Sequence, residues 1–376
     1  MHVLIPALHR PSKPTGVCRH AANLARCLAH SERVSRVTLV LGSWQKSYFE
    51  QSFNLTSSKI KLIFVDIKNT SLSRNQWFVF ELPRLARQQA PHLIHMAFPF
   101  PFVRQWFKAP IVSTIHDLYP YECPENFGYP QVWFNQLFLQ QCVRNSDALS
   151  CVSQCTLEAL NQYFPQVERN KQTAVVYNIV DFEDVESKRP HQLNSDFSDP
   201  FLLAVAQHRK NKNLDLLVKT YHSLLHQDAL KSDTRLLLVG SPGPETNYLT
   251  DLVQTLKLER SVLFLSSLED EELRWLYENA ALFVIPSSTE GFCLPLVEAL
   301  TLSCQVVCSD IPIFREVGAF QCSYFQLGEH APENLSKAIL TELSCKKTEK
   351  IVNPQFSKDE VSQSLLKLYD TLTSCF

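Results

Sequence analysis

Residues 282–300 read LFVIPSSTEGFCLPLVEAL. The apolar run at the start predicts a buried strand, and the Ser-Ser-Thr stretch a short loop. Pro295 opens a helix, because the N–H that proline lacks would be unpaired at a first helical position anyway. A strand, a short loop and then a helix bring backbone amides to a helix N-terminus, which suits an anion. Glu290 precedes those amides, and Glu298 lies on the first turn of the predicted helix. Carboxylates do not bind phosphate; they flank it and accept from hydroxyls on either side. A ligand with hydroxyls, then phosphate, then hydroxyls is a nucleotide-sugar. The plainer alternative is a strand, a turn and a helix with two surface acids.

The frame P-S-x-x-E-G-F-x-L-P-x-x-E-A, from Pro286 to Ala299, resembles the nucleotide-sugar motif of the retaining GT-B glycosyltransferases of family 4. The resemblance implies that Glu290 contacts the transferred sugar and Glu298 holds the ribose hydroxyls. Gly291, Phe292, Cys293 and Leu294 then line the donor. The implied fold is α/β, GT-B, with two doubly wound Rossmann-like domains facing a cleft.

The rest of the chain is compatible with that fold. Its 376 residues exceed one ordinary core, and 45% hydrophobic with 20% charged residues is a globular balance. Strand-like apolar runs alternate with helix-period segments, which argues for parallel βαβ units. No apolar run approaches the ~20 residues of a membrane span. The N-terminus enters a strand directly, without a signal-peptide pattern, so a cytoplasmic location is expected. The twelve cysteines include no C-x-x-C pair and have no clustered histidines beside them, so buried thiols are expected and no metal site.

Net charge is −2 but unevenly divided: residues 1–180 carry +8 and residues 181–376 carry −10. A basic first half suits anionic lipid, a phosphate-bearing acceptor, or the acidic half of its own chain. No nucleic-acid partner is expected. Glycine is scarce at 8 residues, and Gly16, Gly240, Gly243 and Gly291 all fall at predicted strand-to-helix turns. Ligands of open α/β sheets bind at such turns.

The predicted organisation is an N-terminal domain over 1–180, a polar, proline-bracketed linker over 181–200, and a C-terminal domain over 201–376. Strands are predicted at 3–6, 37–41, 60–65, 92–96, 111–115, 148–152 and 174–176 in the first domain. In the second they are predicted at 201–206, 235–239, 262–265, 281–285 and 305–309. The final helix, from Lys358 to about Leu372, is expected to pack back toward the N-terminal domain, as the resemblance implies.

Further segments extend the resemblance. After residues 201–206 comes Gln207-His208-Arg209-Lys210-Asn211-Lys212-Asn213, with three certain cations at the positive end of a helix dipole, an arrangement that suits a bound anion. It resembles the family's diphosphate clamp, with Lys212 and Arg209 as the matching cations, although the family's Arg lies further upstream. His116, at the end of strand 111–115, resembles the His beside the transferred sugar; Asp117 orients it or caps the next segment. Pro14-Thr15-Gly16-Val17 is similar to the first Gly-rich loop, with one glycine where the family has two. Base contacts are implied near Ser267 and Leu268. Ser153 and Asn178 resemble family positions of structural character, and N-G-V-D reads Asn178-Ile179-Val180-Asp181.

Two departures bear on the site. Cys293 stands where the family has Gly, and a backbone with φ > 0 there would strain it; Ser303 and Gln305 stand where the family has the Gly and Pro of the following turn. The implied reaction moves a hexose-type sugar, from a UDP- or GDP-linked donor that is a substrate and not a cofactor, to a glycan or lipid-linked acceptor. It retains configuration, needs no metal, and suits bacterial cell-envelope polysaccharide or lipopolysaccharide synthesis. Residues Arg19, Arg26, Arg84 and Arg87 with Trp133, Phe134 and Phe138 suit an anionic membrane surface on the inner face of the cytoplasmic membrane. The rival readings are a catalytically silent subunit of the same fold and a sugar-nucleotide epimerase.

Overall fold

A computed structural model describes residues 1–10, 15–180, 182, 185–195, 197–345 and 353–373. Pro14 and Asp181 lie outside the described residues. The chain divides into two compact units, Met1–Ile179 with Asn353–Phe376, and Val180–Val352.

Among the described residues, unit 1 holds a seven-stranded parallel sheet. Its strands are β1 (His2–Pro6), β2 (Arg36–Gly42), β3 (Ile60–Val65), β4 (Leu93–Met96), β5 (Ile111–Ile115), β6 (Ala148–Cys151) and β7 (Gln172–Val175), in the order β3-β2-β1-β4-β5-β6-β7. Its central strands β1, β4, β5 and β6 are buried throughout, as expected for a parallel sheet covered on both faces. The order reverses between β1 and β4, which makes the carboxyl ends of those strands the switch point of the unit.

The closing helix, Lys358–Thr373, belongs to unit 1. It buries Val361, Leu365, Leu366, Leu368, Tyr369 and Leu372 in the same core as the Gly16–His30 helix. The Tyr369 hydroxyl bonds His95 Nδ1, while His95 Nε2 lies 2.7 Å from Thr114 Oγ1, so both nitrogens of that buried ring are satisfied.

Unit 2 holds a six-stranded parallel sheet among the described residues. Its strands are β8 (Phe201–Val205), β9 (Arg235–Val239), β10 (Val262–Leu265), β11 (Leu282–Ile285), β12 (Val306–Ser309) and β13 (Ser323–Phe325), in the order β10-β9-β8-β11-β12-β13. Its switch point lies between β8 and β11. β13 and the Ala331–Ser344 helix that follows it were outside the sequence expectation.

The segment expected as a linker is part of unit 2. Arg274 Nη1 donates to the Phe182 carbonyl at 2.9 Å, Lys188 N to the Glu271 carbonyl at 3.0 Å, and His191 N to Glu272 Oε1 at 2.8 Å. The polarity that reads as a linker instead supplies bonds to the Asp270–Asn279 helix. The boundary therefore falls at Ile179/Val180, with residues 353 onward returned to unit 1.

Both departures noted in the sequence adopt left-handed backbone: Cys293 has φ 68° and Ser303 φ 56°. Ser303 is exposed and follows Leu302, the C-cap of the Leu294–Thr301 helix, a position where glycine is favoured. An L side chain there costs roughly 1–2 kcal/mol, and glycine's extra unfolded freedom returns about 0.5–1 kcal/mol of that. Ser303→Gly should therefore stabilise unit 2 by up to about 1 kcal/mol. The urea midpoint should rise with an unchanged m-value; a lowered midpoint would show that the left-handed turn is not strained.

Candidate functional site

The switch point of unit 2 is built from two loops. One follows β8 and carries His208 to Asn213; the other follows β11 and carries Pro286 to Cys293. Two asparagines join them. Asn211 Nδ2 donates to the Thr289 carbonyl at 3.1 Å, and Asn213 Nδ2 to the Pro286 carbonyl at 2.9 Å. Ser288 N donates back to the Asn211 carbonyl at 2.8 Å. The β8 loop also meets the β9 turn, where a Cβ at Gly240 would run into the Ala206 carbonyl and one at Gly243 into the His208 carbonyl. Those two glycines serve a close approach of backbones.

Lys212 and Glu290 come together across the joined loops. Lys212 Nζ lies 2.6 Å from Glu290 Oε1, and their side chains are only 13% and 10% exposed. Ser287 Oγ donates to the same oxygen at 2.9 Å, and Ser309 Oγ bonds the Ser287 carbonyl. A half-desolvated ion pair persists where extra hydrogen bonds hold it, as here. Arg209, partly buried, lies in the same loop, three residues before Lys212.

The Leu294–Thr301 helix starts with Leu294 and places Pro295 at its second position. Glu298 accordingly falls at the fifth residue, on the second turn and not the first. Its carboxylate is buried and accepts from Tyr277 at 2.9 Å through Oε2. Gly291 lies in the β11 loop, Phe292 is buried beside it, and Cys293 is the N-cap. The Cys293 thiol is pushed well above its usual range by burial, with the Glu290 carboxylate reinforcing the shift. Ser267 and Leu268 follow β10 at the sheet edge, two strands from β8, and Ser267 has φ 60°. Arg209, Lys212, Glu290, Gly291, Phe292, Cys293, Leu294 and Glu298 thus share the switch point; Ser267 and Leu268 share its carboxyl side.

Gly16 and His116 lie in unit 1. Gly16 is the first residue of the Gly16–His30 helix. His116 directly follows β5, and its Nε2 donates to the Ala97 carbonyl at 2.8 Å. Burial pushes it down to about 4, so it is neutral at pH 7. Asp117 caps the next segment, its Oδ1 accepting from Tyr119 N at 3.1 Å. Ser153 caps the Gln154–Tyr163 helix. Asn178 is engaged differently from a spacer, with Oδ1 2.6 Å from His20 Nδ1.

Several residues of the site were not singled out from sequence: Asn211, Asn213, Ser287, Ser309 and Tyr277. Asn211, Asn213, Ser309 and Tyr277 have partners remote in the chain, so no local spacing marks them, whereas Ser287 bonds Glu290 three residues on, within the quoted frame. The one available signal was the presence of uncharged polar residues among apolar strands and loops at strand ends. His208 is similar: it is buried, its Nδ1 lies 3.1 Å from Thr246 Oγ1, and its Nε2 has no hydrogen-bond partner among the described residues.

Residues 14–184 match the family described as Glycosyltransferase Family 4, and residues 185–355 match Glycosyl transferases group 1. The chain belongs to this glycosyltransferase family. It is 30% identical over 205 residues to the O-antigen chain mannosyltransferase RfbU of Salmonella typhimurium, covering 54% of this chain and 53% of that protein. It is 26% identical over 212 residues to O-antigen chain mannosyltransferase B of Escherichia coli, covering 55% and 54%. The matched region thus spans about half the length of these curated relatives. The structure of Anabaena Alr3699/HepE in complex with UDP and glucose superposes with a TM-score of 0.67 at 18% identity, over 98% of this chain and 99% of that one. The fold is that of the GT-B glycosyltransferases, as the motif implied.

Buried histidines set an acid limit on unit 1. Burial pushes His9 and His95 down to about 3 and His116 to about 4, and holds His20 well below the usual imidazole range. Each folded value lies below the unfolded one, so the unfolded chain binds more protons between them. The stabilisation is present above pH ~6.5 and is lost as pH falls toward about 4, at roughly 1.4 kcal/mol per unit for each fully buried ring. Urea unfolding at pH 7.5, 6 and 5 should show the transition of unit 1 moving down first. A midpoint constant down to pH 4.5 would mean that these rings protonate within the fold.

Proposed function

We propose that this chain is a glycosyltransferase that moves a hexose-type sugar from a UDP- or GDP-linked donor to a glycan or lipid-linked acceptor. The reaction retains configuration and requires no metal, and it serves bacterial envelope polysaccharide or lipopolysaccharide assembly. The observation that carries this reading is the Lys212–Glu290 pair at the β8/β11 switch point, beside the N-terminus of the Leu294–Thr301 helix. The family, and the mannosyltransferase names of its O-antigen relatives, support the substrate class.

In this reading the departing nucleoside diphosphate meets Lys212, Arg209 and the amides at the helix start, aimed where charge develops. Glu290 keeps Lys212 in place before the donor arrives and then faces the sugar as it becomes cationic. Glu298, whose Oε2 accepts from Tyr277, takes the ribose hydroxyls. His116, neutral and with its Nε2–H given to the Ala97 carbonyl, accepts a hydrogen bond at Nδ1 without adding charge. With no carboxylate assigned as a nucleophile, the leaving phosphate accepts the acceptor's proton on the face from which it departs.

A second reading, a silent subunit of the same fold, is favoured by Cys293 at φ 68°, a side chain where the family has glycine. Donor hydrolysis by the purified chain separates the two. A thermal-shift panel of nucleoside diphosphates tests the main reading directly: a ligand at 100 times its Kd adds about 2.7 kcal/mol. Lys212→Ala should weaken diphosphate binding by roughly 1.5–3 kcal/mol in calorimetry. Glu298→Ala should raise the donor KM, while Glu290→Ala should mainly lower kcat, since its contact strengthens in the transition state. Near wild-type kinetics in both glutamate variants, or a strict metal requirement, would remove the assignment.

The chain is also proposed to work in the cytoplasm against the inner face of the cytoplasmic membrane. No helix of the described residues is long and apolar enough to cross a membrane. Trp133 and Phe134 are 67% and 51% exposed, beside Tyr129 and Leu137; Phe138 is partly buried. Phe80 and Trp106 form a second exposed apolar pair at 5.9 Å between ring centroids, with Arg84 beside Phe80; Leu72 and Arg87 are exposed, whereas Arg19 and Arg26 are partly buried. Each exposed cation adds about 1 kcal/mol at an anionic surface. Flotation should occur with anionic liposomes, fall away in high salt, and weaken in Trp133→Ala/Phe134→Ala. Protein that stays in the soluble fraction at low salt would place the acceptor in solution.

A further inference from the structure

Lys212 and Glu290 lie on different loops of unit 2, and through them the protein supplies its own anion to its own cation. Lys212 Nζ is 2.6 Å from Glu290 Oε1, with 13% and 10% of the two side chains exposed. The same oxygen accepts from Ser287 Oγ at 2.9 Å, and Ser287 is fixed in turn by the bond from Ser309 Oγ to its carbonyl. Ser287 and Ser309 are both buried, so neither offers a surface to a ligand. They act on Glu290 and on the loop that carries it.

A phosphate placed on Lys212 meets the Glu290 charge with little water between them, so the repulsion is weakly screened. The carboxylate must turn away, and what it turns to decides which ligand is favoured. As a carboxylate, Glu290 only accepts hydrogen bonds. A sugar diphosphate brings hydroxyl donors beside its terminal phosphate. A bare nucleoside diphosphate brings only acceptor oxygens there. Its terminal phosphate also carries a further charge above a second pKa of about 6, which the esterified phosphate of the donor lacks. Both differences act in the same direction.

We propose that Glu290, held on Lys212 by Ser287, is an internal competitor for the diphosphate, so that the site favours an intact sugar donor over the nucleoside diphosphate it releases. Ser287 is the positioning residue of this device. With the donor bound, sugar hydroxyls compensate Glu290 for leaving Lys212. After transfer those hydroxyls are gone, Glu290 returns to Lys212, and the product is displaced. This rests on the glycosyltransferase reading and adds to it a selectivity between donor and product.

The test is calorimetry on the full chain at pH 7.5, with UDP against UDP-glucose and GDP against GDP-mannose. Glu290→Gln should bind the nucleoside diphosphate roughly tenfold more tightly than the parent chain, with donor affinity nearly unchanged. Glu290→Ala should agree, which excludes a new bond from the glutamine amide as the cause. Ser287→Ala keeps every charge in place and should tighten the nucleoside diphosphate roughly threefold, with product inhibition of donor hydrolysis strengthened to match. Diphosphate affinity that is unchanged or weaker in both Glu290 variants overturns the proposal. Equal tightening of donor and product overturns it as well, because Glu290 is then a repellent without selectivity. A chain that binds neither nucleotide nor its sugar ester fails the glycosyltransferase reading itself, and affinity that Lys212→Ala leaves unchanged moves the diphosphate clamp elsewhere. Both of those results differ from an intact diphosphate site that is indifferent to Glu290.

Discussion

The junction of the β8 and β11 loops is the constraint on which the unit 2 site depends. At a switch point the chain leaves neighbouring strands in opposite directions, so nothing in the sheet itself closes the gap above them. Here Asn211 and Asn213 close it with carboxamide bonds to the Thr289 and Pro286 carbonyls. The Lys212–Glu290 pair then sits on a floor of fixed backbone, with Ser287 Oγ donating to the acid and Ser309 Oγ bonding the Ser287 carbonyl. Cations at a helix start oppose the dipole. The carboxylate offsets that cost and holds the ammonium at the junction of the two loops.

The two units reach polarity by opposite means. Unit 2 concentrates a cation and a carboxylate in a partly desolvated pair, in the half of the sequence whose net charge is −10. Unit 1, in the half that carries +8, gathers uncharged imidazoles whose protonation burial prevents. Net charge of a segment therefore did not foretell the charge of its site. Charges spread over a surface act at long range and are screened within about a Debye length. What a ligand meets at contact is set by the few groups that the strand ends deliver.

Much of this was legible in the sequence because parallel strands are continuous apolar runs. LFVIP, FLLAV and IVSTI each read as buried strands, and each is one. The Glu290–Glu298 frame reads as a strand, a loop and a helix start, and β11, its loop and the Leu294–Thr301 helix follow that order. Polarity marks a linker and a segment docked on its own unit alike; Arg274, which binds the Phe182 and Val185 carbonyls, is about ninety residues away. Asn211 and Asn213 at the loop junction were not marked for the same reason, their partners lying more than seventy residues away. Glu298 was placed one turn early because proline is favoured in a first turn, but the turn begins at Leu294.

Cys293 shows how far a motif can depart without losing its geometry. The position keeps left-handed backbone with φ 68° although it carries a side chain. Such strain persists only where the surroundings over-determine it. They do so here: Phe292 is buried on one side, the helix begins on the other, and the preceding loop is bonded to Asn211 and Asn213. The thiol remains protonated, since burial and the Glu290 charge both oppose the thiolate. It therefore adds a small neutral volume next to the carboxylate where glycine would leave space. The backbone that a glycine would adopt freely is instead imposed by the loop junction, so the same asparagines that position the ion pair also make the substitution tolerable.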